Sequence, residues 1–80
     1  MQLLRNGSTG PDVKSLQTAL NLLGMADPPL DVDGIFGPKT EAAVTAFQDR
    51  ANLFTDGIVG PMTTQALVAF VFMELGVGAI

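Results

Sequence analysis

Few residues of this chain could do chemistry, and their types narrow the options at once. It has no histidine and no cysteine. That removes the commonest general base, any serine–histidine relay, thiolate metal sites and the commonest zinc ligand. The two serines, Ser8 and Ser15, lack a lysine three residues on, and Glu41 and Glu74 sit in helical sequence. A cleft flanked by two catalytic carboxylates needs more scaffold than 80 residues supply. The expectation is a non-enzyme without a cofactor. Recognition remains. Asp33, Gly34, Phe36, Gly37, Lys39 and Thr40 form the candidate ligand site, because a helix start offers unpaired N–H groups and a positive dipole end to a carboxylate. Lys39 would add a charge-assisted bond. A second reading stands beside it: Asp33 and Gly34 make a turn, and Phe36 plugs the core. Asp56-Gly57 repeats that turn with Met62 where Lys39 stands, which favours structure for the turns. Asp31-Val32-Asp33-Gly34 suggests a calcium loop, but such a loop needs an acid at Pro29 and a glutamate at Thr40. No metal site is expected.

The elements that must position these residues follow from an internal repeat. Residues 33–47 match 56–70 without a gap, identical at nine of fifteen positions. A weaker copy opens the chain, from Asn6-Gly7-Ser8-Thr9-Gly10-Pro11 to Ala19-Leu20. Each copy reads as a turn feeding a helix: Asn-Gly or Asp-Gly suits a tight turn, and Gly-Pro places proline at the first helical position. Val13, Leu16, Leu20 and Leu23 then share a face, as do Thr40, Ala43, Val44 and Phe47, and Thr63, Ala66, Leu67 and Phe70. Gly24, Asn52 and Gly76 are the expected left-handed stops, and Pro28 and Pro29 forbid continuous helix between the first two segments. Repeat spacings of 27 and 23 residues predict one closed, all-α three-helix bundle over residues 1–80. Gln17 aligns with Val44 and Leu67, so it is expected to face inward. A tie between helix and loop is the favoured role for Gln17 and for Gln48.

Composition bounds the partners. The chain is 48% hydrophobic with a net charge of −4, and Arg5, Lys14, Lys39 and Arg50 are scattered, which excludes a nucleic-acid surface. The N-terminus has no basic start followed by an apolar run, so the expectation is synthesis in the cytoplasm without an export signal. Glu74 interrupts the longest apolar stretch, so no transmembrane segment is read.

Gly10-Pro11-Asp12-Val13-Lys14-Ser15-Leu16-Gln17, Val32 to Thr40, Ala43-Val44-Thr45-Ala46-Phe47-Gln48 and Asp56 to Thr63 together resemble the peptidoglycan-binding domain family, from Leu4 to Phe70. The resemblance implies a compact three-helix module, often attached to cell-wall hydrolases. It would bind stem peptides or glycan and bring an associated lytic enzyme or assembly to the bacterial wall, with the carboxylates of the stem peptides suiting the site above. The chain departs from the family where an aromatic commonly follows the first helix, here Met25, and near Thr64. With no Trp or Tyr, sugar stacking is limited to Phe36, Phe54 and Phe72.

Residues 71–80 form an apolar extension that the resemblance does not cover. Continued helix would align Val68, Val71, Phe72 and Leu75 in a second apolar stripe. That stripe could dock on a second copy, a larger protein or a membrane surface, or fold over the first helix. The alternative function is therefore a structural or assembly subunit, as in a phage particle, with the stripe as its docking surface.

Overall fold

Glycine–proline pairs start every helix. In the structure, a computed structural model describing residues 3–76, α1 spans Pro11–Leu22, α2 Pro38–Arg50 and α3 Pro61–Glu74. The N-caps are Gly10, Gly37 and Gly60, with proline at the first helical turn in each case and no side-chain cap. The expected stops also hold: Gly24, Asn52 and Gly76 have φ of 70°, 60° and 77°. Helix ends with these backbone angles satisfy otherwise orphaned carbonyls; for example, the Met25 N–H donates to Leu20 O and the Leu53 N–H to Gln48 O.

Alpha-helix is the only regular element among the described residues; two isolated β-bridges join the turns. The first turn pairs with the second through Gly7 N–H to Phe36 O, Phe36 N–H to Ser8 O and Gly10 N–H to Gly34 O. Leu4 exchanges two hydrogen bonds with Val59 and so ties the N-terminal segment to the third turn. These bonds give the loop backbones partners that the helices cannot supply.

The core lies between the three helices. Val13, Leu16 and Leu20 of α1 join Ala43, Val44 and Phe47 of α2 and Leu67 of α3. Loop residues Leu30, Phe36 and Val59 complete it. Phe47 meets Phe70 edge-on, with ring centroids 5.2 Å apart at 81°, the arrangement that the ring quadrupoles favour.

A cleft beside the first Asp-Gly turn

The turn before α2 is held from the preceding helix by one buried amide. Gln17 Nε2 lies 3.1 Å from Asp33 Oδ1, 3.0 Å from Ile35 O and 3.2 Å from Thr40 Oγ1. Its two hydrogens thus serve three acceptors, one being shared. Gln17 Oε1 accepts the Gly34 N–H at 3.0 Å. Asp33 also accepts the Ile35 N–H at 2.9 Å, which closes the turn. That backbone N–H, followed by the Gln17 amide, holds the Asp33 carboxyl below the usual carboxylate range. Gly34 has φ of 76°, and a Cβ there would lie 3.2 Å from Gly10 O and 3.3 Å from Lys14 Cγ. Both backbone angle and space therefore require glycine.

The same device recurs one unit later. Gln48 Nε2 reaches Asp56 Oδ1, Ile58 O and Thr63 Oγ1, and its oxygen accepts the Gly57 N–H. Each glutamine thus fastens its own helix to the turn that starts the next one. Aligning the copies on Gly-Pro pairs Gln17 with Val44, but the residue that repeats its contacts is Gln48, one helical turn further on. What found the glutamines was the rule that a buried amide needs partners; what missed their equivalence was the helix-start alignment.

Between α1, the start of α2 and the loop over residues 25–31 lies an open cleft of about 820 Å³. Asn21 fixes the loop at two points, donating to Leu30 O at 2.9 Å and accepting the Leu30 N–H at 2.8 Å. This inserts Leu30 into the core and leaves Asp27, Pro28 and Pro29 exposed along the cleft. Asp33, Gly37, Lys39 and Thr40 line the cleft from the other side. Lys39 is exposed there, whereas Thr40 is buried and its hydroxyl is engaged by Gln17.

Two residues expected at this site lie elsewhere. Phe36 is only 1% exposed and belongs to the core, so its ring offers no face to a ligand. The strict burial follows from its backbone, whose N–H and C=O both pair with the first turn. Gly34 is buried beneath the cleft rather than lining it. Conversely, Met25, Ala26, Asp27, Pro28 and Ala42 line the cleft without having been expected there. Neither Asp27 nor Asp31 was expected at this site, because only the Asn21–Leu30 clamp swings their loop across from α2.

Of the apolar stripe on α3, Val68, Phe72 and Leu75 are exposed, whereas Val71 packs partly against the core. Val71 shares its helix face with the buried Leu67, four residues earlier, and Leu75, one turn further on, lies beyond what the core covers. Residues 77–80 of the extension lie outside the described residues. Phe54 is the most exposed aromatic, at 85%, but it does not line the cleft. Among the described residues no group of acids could hold a metal ion, and no helix is long and apolar enough to cross a membrane.

Residues 9–67 match the family described as "Putative peptidoglycan binding domain". The chain is similar in structure to the SleB N-terminal domain, at 37% identity and a TM-score of 0.83, over 88% of this chain and 93% of that one. It is similar to an L,D-transpeptidase from Xylanimonas cellulosilytica at 48% identity and a TM-score of 0.81, over 86% of this chain and 33% of the other. A peptidoglycan-binding protein from Clostridioides difficile matches at 38% identity and a TM-score of 0.81, over 88% of this chain and 42% of that one. In the last two, the matched region is less than half of a longer protein. Comparison with curated proteins returned no match.

Proposed function

Because the chain belongs to the peptidoglycan-binding domain family, we propose that it is a non-catalytic module that holds bacterial cell-wall peptidoglycan in the cleft between the 25–31 loop and the start of α2. The observation that carries this reading is the cleft itself: about 820 Å³, open on one side, with Lys39 and the uncapped first turn of α2 along its edge. A volume of that order accommodates a short peptide. The α2 start favours a carboxylate over a neutral group because its first N–H groups have no side-chain acceptor.

Cosedimentation with purified sacculi tests the proposal. The wild-type protein is expected to leave the supernatant with the wall fraction, and muropeptides are expected to shift the amides of residues 25–31 and 33–40. Lys39 is exposed, so Lys39→Glu leaves stability within about 0.5 kcal/mol while weakening wall binding by about fivefold. No depletion at high protein concentration, with no shifted amide in those segments, would remove the proposal.

Targeting is the finer part of it. Tethered or associated with a lytic enzyme, the module would raise that enzyme's local concentration at the wall by intramolecular capture. Its place of action would be the bacterial cell wall. A second reading, an assembly subunit, draws on the outward face of α3, where Val68, Phe72 and Leu75 are 51%, 53% and 59% exposed. Sedimentation velocity separates the two: a monomer at every concentration that still binds sacculi favours the wall module, and concentration-dependent assembly without wall binding favours the subunit.

A further inference from the structure

The charges around the cleft do not make a simple anion trap. Lys39 lines it from α2, but the loop contributes two carboxylates, Asp27 and Asp31. None of these three groups makes a hydrogen bond or an ion pair among the described residues. Asp33, by contrast, spends its Oδ1 on Ile35 and Gln17. The cleft therefore presents free charge of both signs from two different elements.

The third turn provides an internal comparison. It carries the same glutamine, aspartate and threonine tie, but its lead-in, Ala51 to Thr55, holds no acid and no base, and Met62 replaces Lys39. All three free charges around the second turn are missing where the long loop is missing too. The turn before α3 also borders a smaller cleft, through Val59 and Thr64, and none of the three charges recurs there.

We infer that the cleft recognises a peptide residue carrying a free ammonium group and a carboxylate, with Asp27 and Asp31 facing the ammonium and Lys39 and the α2 start facing the carboxylate. This rests on the reading of the cleft as the wall contact and names the ligand class within it: a diamino acid of the peptide stem whose side-chain amine is not cross-linked. Linking that amine into an amide removes its charge and adds bulk, so the site distinguishes open stems from cross-linked ones. An exposed ion pair contributes a factor of about two to five in affinity, and two carboxylates around one ammonium set the expected discrimination near fivefold.

The test uses sacculi rich in free diamino-acid amines in three forms: untreated, N-acetylated, and reductively dimethylated, which adds methyl groups but keeps the charge. Wild type is expected to bind acetylated sacculi about fivefold more weakly than untreated ones, and dimethylated sacculi within twofold. The Asp27→Asn/Asp31→Asn variant should bind untreated sacculi as weakly as wild type binds acetylated ones and ignore acetylation. Its thermal midpoint should be unchanged, since neither carboxylate has a protein partner. Equal wild-type binding to untreated and acetylated sacculi, or an unaffected double variant, overturns the inference and leaves wall binding standing. Binding to none of the three removes both.

Discussion

A primary amide offers two donors and an acceptor that carry no charge, which lets it be buried where a carboxylate or an ammonium would need a counter-ion. Gln17 and Gln48 are each 1% exposed and use both ends on one turn. Gln17→Ala strips the Gly34 N–H of its acceptor and the Asp33 and Thr40 oxygens of their donor. It is expected to cost about 2–3 kcal/mol in urea unfolding, and Gln48→Ala a similar amount. Only Gln17 lines the cleft, so Gln17→Ala should also weaken wall binding while Gln48→Ala does not. The aspartates of the two ties set an acid limit. Backbone N–H bonds from Ile35 and Ile58, then the two glutamine amides, lower the carboxyls of Asp33 and Asp56 from their ordinary 3.8. A depressed folded value means the stabilisation is complete above the unfolded value and is lost as pH falls from about 4 through the folded value. Urea midpoints should be flat above pH 5 and decline below pH 4. Asp33→Asn/Asp56→Asn keeps an acceptor oxygen in each turn but removes the titration, and should flatten part of that decline.

Helix starts are where local sequence and function compete. A glycine cap stabilises a helix less than serine or aspartate does in side-chain terms, because it supplies no oxygen to the first-turn N–H groups. Gly37 has φ of −114°, which any residue adopts, and nothing lies within 4 Å of a Cβ built there. Fold alone would therefore accept serine. Gly37→Ser is expected to raise stability by a few tenths of a kcal/mol and, if the proposed site holds, to weaken sacculus binding, since its hydroxyl would occupy the N–H groups assigned to the ligand carboxylate in that proposal. Higher stability with undiminished binding would place the carboxylate elsewhere. The helix starts and stops were legible in the sequence because glycine, proline and left-handed stops act within four or five residues of chain. Outward residues of α3 were legible only in part: a stripe drawn from helical spacing puts Val71 with Leu75, but the packing of α3 turns Val71 inward.

At the scale of the whole molecule, the interior is small and holds two fully buried rings, Phe36 and Phe47. Phe47 is fully buried and meets Phe70, and it belongs to the same cluster as Leu20 and Phe36. Phe47→Ala leaves a ring-sized cavity there and is expected to cost about 3–5 kcal/mol. A domain of this size has a total of about 4–12 kcal/mol, so calorimetry should show the thermal midpoint falling by well over 10 °C, with about 4–8 °C lost per kcal/mol. The loops contribute as much to closure as the helices do. Leu4 with Val59, and the first turn with the second, are joined by backbone bonds, so three turn–helix units close on themselves instead of stacking indefinitely.

By itself, the amino-acid order determined three helices, their Gly-Pro starts, the faces that pack, the inward glutamine and the family resemblance. All of these depend on short-range sterics, helical period or residue type. It could not decide whether Phe36 would meet a ligand or the core, because both outcomes suit an aromatic after a turn; pairing with Gly7 and Ser8, some thirty residues away in the chain, fixed it inside. Nor could it place Asp27 and Asp31 across from Lys39. That depends on Asn21 clamping Leu30, a contact between side chain and backbone that no periodicity encodes. The cleft is a tertiary product, since its walls come from separate stretches of chain brought together only when the core closes.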